Sequence, residues 1–130
     1  MTMVKEPVER LKDKILKENL WIFLFKILAQ NDEYAYELRK KVNSEFGFWS
    51  GRVTGYRVLY LLEKDRYVES YIKGRRKYYK LTQKGREQLN KAQNFLLKIQ
   101  SSLWIFIPIL MLLYIMFFYV KDLNLSSEKS

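Results

Sequence analysis

Between residues 73 and 77 the chain reads Lys-Gly-Arg-Arg-Lys, four cations around one glycine. Ammonium and guanidinium groups this close together repel one another unless an anion lies among them, and phosphate oxygens suit both types. A second set lies upstream: Ser50, Arg52, Thr54, Tyr56, Arg57 and Tyr60, hydroxyl groups alternating with two guanidiniums. Arg52 or Arg57 could give paired hydrogen bonds to guanine O6 and N7, worth ~1–3 kcal/mol of discrimination. Ser50, Thr54 and the amides of a helix's first turn suit phosphate instead. On the basic tip, Lys73, Arg75, Arg76 and Lys77 suit the sugar-phosphate backbone or an adjacent minor groove. These ten residues are the candidate contacts to double-stranded DNA.

The charge balance agrees. The formal charge is +10 over 130 residues; the last ten residues carry two charges of each sign and residues 103–120 carry none, so the excess belongs to residues 1–102. That excess on one small domain implies nucleic acid or an anionic lipid surface as partner, with a merely solubilising surface as the plainer alternative. The chain has neither cysteine nor histidine. Disulfides, thiolate metal ligands, the usual zinc ligand and the usual general base are thereby removed. With no clustered carboxylates and no glycine-rich phosphate loop, nothing is arranged for catalysis. No enzyme activity, cofactor or metal is expected.

The candidate contacts need elements to position them. Residues 5–18 carry Val8, Leu11 and Ile15 at helical spacing, with Pro7 where a first-turn proline is tolerated. Asn19 can cap a second apolar helix, LWIFLFKILAQ, which is too short and too internal for a leader and reads as a core helix. The polar cluster from Gln30 to Glu33 breaks the chain. Helical period resumes from Tyr34 to Phe46 through Leu38 and Val42, and Gly47 is a natural stop. After the turn Phe48–Gly51 another helix runs to about Asp65, with Val58, Leu59, Leu61 and Leu62 inward. The segments YVESYI and KYYKLT alternate with period two, the signal of a half-buried hairpin whose tip is the cationic loop. Thr82 can cap a final helix. This order is that of a winged helix-turn-helix, mainly α with a small β-hairpin wing, in which the third helix enters a major groove and the wing touches flanking backbone.

Residues 20–90 resemble the winged-helix domain of PadR-type transcription regulators. The match lies in Tyr36-Glu37-Leu38, in Tyr56 with Leu59, Leu62 and Glu63, and in GRRKYYKLTQKGREQL from Gly74 to Leu89. The resemblance implies a dimeric regulator of transcription that binds duplex DNA through the third helix and the wing. Some proteins of this type bind aromatic small molecules beside the core, so Trp21 could line an effector pocket, although core packing is the plainer account. Three positions depart from the family. Ala35 stands for a glycine, Arg66 stands where a glycine ends the third helix, and Gly55 replaces a leucine, which removes a core contact and could loosen that helix.

Beyond the winged domain, assigned to residues 1–82, residues 83–102 read as a dimerisation helix. Leu89, Ala92, Leu96, Ile99, Leu103 and Phe106 alternate spacings of three and four, a heptad seam that predicts a parallel homodimer through residues 83–106. Residues 103–120 carry no charge and extend ~27 Å as a helix, close to the ~30 Å of a bilayer core. They are expected to cross a membrane, with Trp104 and Tyr119 as interfacial anchors and residues 121–130 as a polar tail. Lys84, Arg86, Lys91 and Lys98 before the run, against Lys121 and Lys129 after it, place the N-terminal domain in the cytoplasm. The expected protein is therefore a membrane-anchored, DNA-binding transcription regulator. A membrane-attached scaffold, or a DNA-to-membrane tether without sequence-specific regulation, stands as the alternative.

Overall fold

Apolar spacing draws the helices together as expected. The structure, a computed structural model, describes residues 4–49, 51–103 and 107–127. In chain order these form α1 (Pro7–Glu18), α2 (Leu20–Gln30), β1 (Glu33–Tyr34), α3 (Ala35–Phe46), α4 (Arg52–Lys64), β2 (Val68–Lys73), β3 (Arg76–Leu81), α5 (Gln83–Leu103) and α6 (Ile107–Ser127). The chain divides into two compact units, Met1–Ala92 and Gln93–Ser130. The core of the first is built on α2, whose Leu20, Leu24, Phe25, Ile27 and Leu28 are buried against Leu38 and Val42 of α3, Leu59 of α4, and Val68, Tyr79, Leu81 and Leu89. Each such side chain contributes ~1.5–3 kcal/mol by leaving water. In α4, Leu59 is buried and Val58 and Leu62 are half-buried, but Leu61, expected inward, is 45% exposed.

The three-stranded antiparallel sheet has the order β1-β3-β2. In the hairpin Tyr71 faces Tyr78 and Lys73 faces Arg76, and Gly74 turns the tip at φ +64°. The first strand is an addition: Tyr34, assigned to a helix by its period, instead pairs with Tyr78 while Glu33 pairs with Tyr79. Two residues carry no periodic signal. What holds them is the Tyr34–Tyr78 edge-to-face contact at 5.5 Å and the Lys41–Glu33 ion pair from α3.

The passage from α4 to β2 shows how the chain accommodates Arg66. Its φ is +62°, and the Arg66 and Tyr67 amides donate to Glu63 and Leu62 carbonyls at 3.0 and 2.9 Å, closing the helix end. The Thr82 hydroxyl lies 2.8 and 2.9 Å from the Arg66 and Tyr67 carbonyls and accepts the Gly85 amide at 3.1 Å. Thr82 therefore caps α5 as its type suggested. Gly85 is required there: an added Cβ would lie 2.3 Å from the Tyr67 carbonyl oxygen.

The C-terminal expectations are corrected. Among the described residues no helix is long and apolar enough to cross a membrane. The apolar part of α6 runs from Ile107 to Val120 and then meets Lys121 and Asp122. That is ~21 Å at helical rise, against the ~30 Å required. Residues 104–106 lie outside the described residues, Trp104 and Phe106 among them. The span over residues 103–120, the lipid partner, the membrane localisation with a cytoplasmic N-terminal domain, and the anchoring role of Tyr119 fall together. Residues 103–120 are uncharged, but the described helix α6 is apolar only from Ile107 to Val120 and carries charge beyond it.

Candidate nucleic-acid interface

Helical geometry separates α4 into two faces. Gly55 and Leu59, four residues apart, are buried, while Arg52, Thr54, Tyr56, Arg57 and Tyr60 are all exposed. None of these five residues is acidic, and the one carboxylate of α4, Glu63, lies in the last turn and is half-buried. Ser50, expected among the contacts, lies outside the described residues. Val53 is 81% exposed beside Arg52 and Thr54. An apolar group placed so can pack on a thymine methyl; its hydrophobic type had hidden it.

The loop before α4 explains Gly55. A Cβ at that position would lie 2.3 Å from Cζ2 of Trp49. The indole thus occupies the volume that the family's leucine would claim, and the preceding loop supplies the core packing that glycine cannot. Among the described residues, the buried Trp49 Nε1–H has no hydrogen-bond partner. Beside it a cleft of about 490 Å³ is lined by Tyr36, Arg39, Lys40, Asn43, Trp49 and Gly51. Arg39 and Lys40 add two exposed cations next to the start of α4. Sequence reasoning missed both, because solvated cations on an amphipathic helix carry no signal of their own.

The hairpin treats its four cations differently. Lys73 and Arg75 stand exposed at the tip. The Arg76 guanidinium lies over the Tyr34 ring, 4.6 Å from its centroid, which holds it against β1. Tyr71 and Tyr78 stack at 5.6 Å on the same sheet face, with the Tyr71 hydroxyl donating to Asp32 at 2.9 Å. That bond and burial push the Tyr71 phenol above its ordinary range. Lys77 emerges on the opposite face, where its ammonium lies 3.0 Å from a Glu63 carboxylate oxygen and 5.3 Å from the Tyr79 ring centroid. The other Glu63 oxygen accepts the Ser70 hydroxyl. Ser70 first and Lys77 second hold the Glu63 carboxyl below the usual range, and Glu63 raises Lys77 in turn.

On the far side of the core a separate cavity of about 220 Å³ is lined by Trp21, Phe25, Leu62, Tyr67 and Gln88. Trp21 meets Phe25 edge-to-face at 5.2 Å. It is half-buried against the core and also borders the cavity.

Comparison with known proteins places this geometry. The model of the transcriptional regulator PadR-like family matches residues 24–91, more than half of the chain. A PadR-like transcriptional regulator (BC4206) from Bacillus cereus strain ATCC 14579 is 30% identical, with a TM-score of 0.62 over 69% of this chain and 92% of that one. A transcriptional regulator from Clostridium thermocellum shares the fold at 22% identity and a TM-score of 0.61, over 69% of this chain and 93% of that one. F93 from STIV, a winged-helix DNA-binding protein, shares it at 20% identity and a TM-score of 0.57, over 64% and 91%.

Proposed function

This chain belongs to the PadR-like family of DNA-binding transcription regulators, and we propose that it binds duplex DNA as a two-fold dimer, laying α4 in a major groove and the wing on flanking backbone. The observation that carries the reading is the outer face of α4: Arg52, Thr54, Tyr56, Arg57 and Tyr60 all exposed, and no acid among them. Arg52 and Arg57 read base edges, Thr54 and Ser50 hold phosphate, and Tyr56 and Tyr60 pack along the groove wall. Lys73, Arg75 and Arg76 meet the backbone beyond the groove. Arg39 and Lys40 widen the same cationic surface from α3.

The dimer rests on α5. Leu89 is buried in its own core, but Leu96, Ile99 and Leu103 further along the seam are 44%, 38% and 72% exposed. A second α5 laid in parallel covers that stripe. Two-fold symmetry then sets the recognition helices on half-sites one or a few helical turns apart.

Salt dependence tests the interface. Each phosphate left without its cation reduces the steepness of log affinity against log salt by about 0.9. Reversing Arg75 and Arg76 to glutamate is expected to weaken binding to every duplex and to flatten that slope. Unchanged affinity at ~0.1 M salt, where surface charges are still felt over ~10 Å, would remove the wing from the interface.

A further inference from the structure

Lys77 looks at first like one more phosphate contact, yet its surroundings set it apart from the cations at the tip. It belongs to β3, Ser70 belongs to β2, and both reach the carboxylate of Glu63 in the last turn of α4. One carboxylate thus holds both strands of the wing to the helix beside them. Its two oxygens are used separately, Oε1 by Ser70 and Oε2 by Lys77. A carboxylate bound from two directions has little freedom to swing, and the three residues of the cluster sit on three different elements. The Tyr79 ring, buried in the core, lies under the Lys77 ammonium and limits it from another side.

We propose that Glu63, Ser70 and Lys77 form a strut that sets the angle between the recognition helix and the wing, so that Lys77 is a positioning residue and not a phosphate contact. The inference rests on the DNA-binding reading above. A hairpin of two six-residue strands has little core of its own, and its outer half, from Tyr71 to Tyr78, carries no fully buried side chain. Without the strut the tip can pivot about its buried base at Val68 and Leu81. The tip cations then miss the phosphates that α4 leaves for them.

The test measures geometry and binding separately. The chain lacks cysteine, so spin labels can be placed at Val53→Cys on α4 and Ile72→Cys on the wing, both positions being exposed. In the full chain without DNA, Glu63→Gln and Lys77→Met should each broaden the label-to-label distance distribution, and the exchange E63K/K77E should narrow it again. In unlabelled protein, Glu63→Gln and Lys77→Met should each weaken duplex binding about tenfold, the scale of coupling inside one ion-pair network, and should flatten the salt slope alike, because both cost the same tip contacts. The proposal is overturned if the distances stay narrow in both single variants. It is equally overturned if Lys77→Met flattens the slope by about 0.9 while Glu63→Gln binds as well as the parent. Failure of the parent chain to bind any duplex would instead remove the DNA reading, which the distance measurement does not touch.

Discussion

Arg66 is constrained by its own backbone and Gly55 by the ring of Trp49. A non-glycine residue in the left-handed region costs ~1–2 kcal/mol, and Arg66 sits there at φ +62°. Glycine at that position relieves the strain but adds ~0.5–1 kcal/mol of unfolded-chain freedom. Arg66→Gly is therefore expected to stabilise by about 0.5 kcal/mol, the difference of those two terms, as read by urea denaturation. A destabilised variant would mean that the arginine side chain contributes more than its backbone costs. Gly55→Leu acts in the opposite direction. Its Cβ meets the Trp49 ring at 2.3 Å, and overpacking of this kind costs ~1–3 kcal/mol. Combining it with Trp49→Ala should recover part of that loss, because the two side chains compete for one space; simple additivity in the double variant would contradict the reading. The exposure of Arg52, Thr54, Tyr56, Arg57 and Tyr60 on α4 was legible from helical spacing. The Trp49–Gly55 exchange of volume was not, since it depends on how the preceding loop folds back.

At the scale of elements, the junction of α4 with the wing is expected to respond to pH. The Glu63 carboxyl titrates lower in the folded chain than free, so its contribution is present above its unfolded pKa and is lost as pH falls through the folded value, below the ordinary carboxylate range. Lys77 is raised, and its share is lost only as pH climbs through a folded value above the ordinary lysine range. Glu63→Gln should accordingly be less stable than the parent at neutral pH, and the gap should close on acidification; a gap constant down to strongly acid pH would contradict the assignment. The elements themselves were mostly readable. Period located five helices and the hairpin, and Thr82 and Gly47 marked two of the ends; α2 to α5 bury residues on one side, whereas the Val8, Leu11 and Ile15 stripe of α1 stays exposed and Asn19 makes no side-chain cap to α2. Strand β1 escaped, as two residues paired across a sheet obey no local pattern. The partner of Lys77 was hidden for a related reason: only strand register reveals that it turns toward Glu63. The C-terminal run misled most, since a count of uncharged residues does not give the apolar length of the helix that carries them, which among the described residues is too short to cross a membrane.

For the whole molecule, the reading joins a cationic face on the winged domain to a seam on α5. Leu96→Lys with Ile99→Lys places charge on that exposed stripe. These changes should shift the full chain toward monomer in sedimentation and weaken binding to paired half-sites far more than to one half-site. Equal losses on both targets would separate dimerisation from recognition. Two-fold pairing also dictates what the protein must leave on DNA, which is why nuclease footprinting with the full chain, on duplexes selected from a random pool and on the region upstream of its own gene, is the most direct trial of DNA reading by α4 and the wing. The expected pattern is two protected half-sites in inverted repeat, one or a few helical turns apart, which disappear in Arg52→Ala/Arg57→Ala protein. No protection even in dilute salt, or uniform coating that ignores those two arginines, would contradict it.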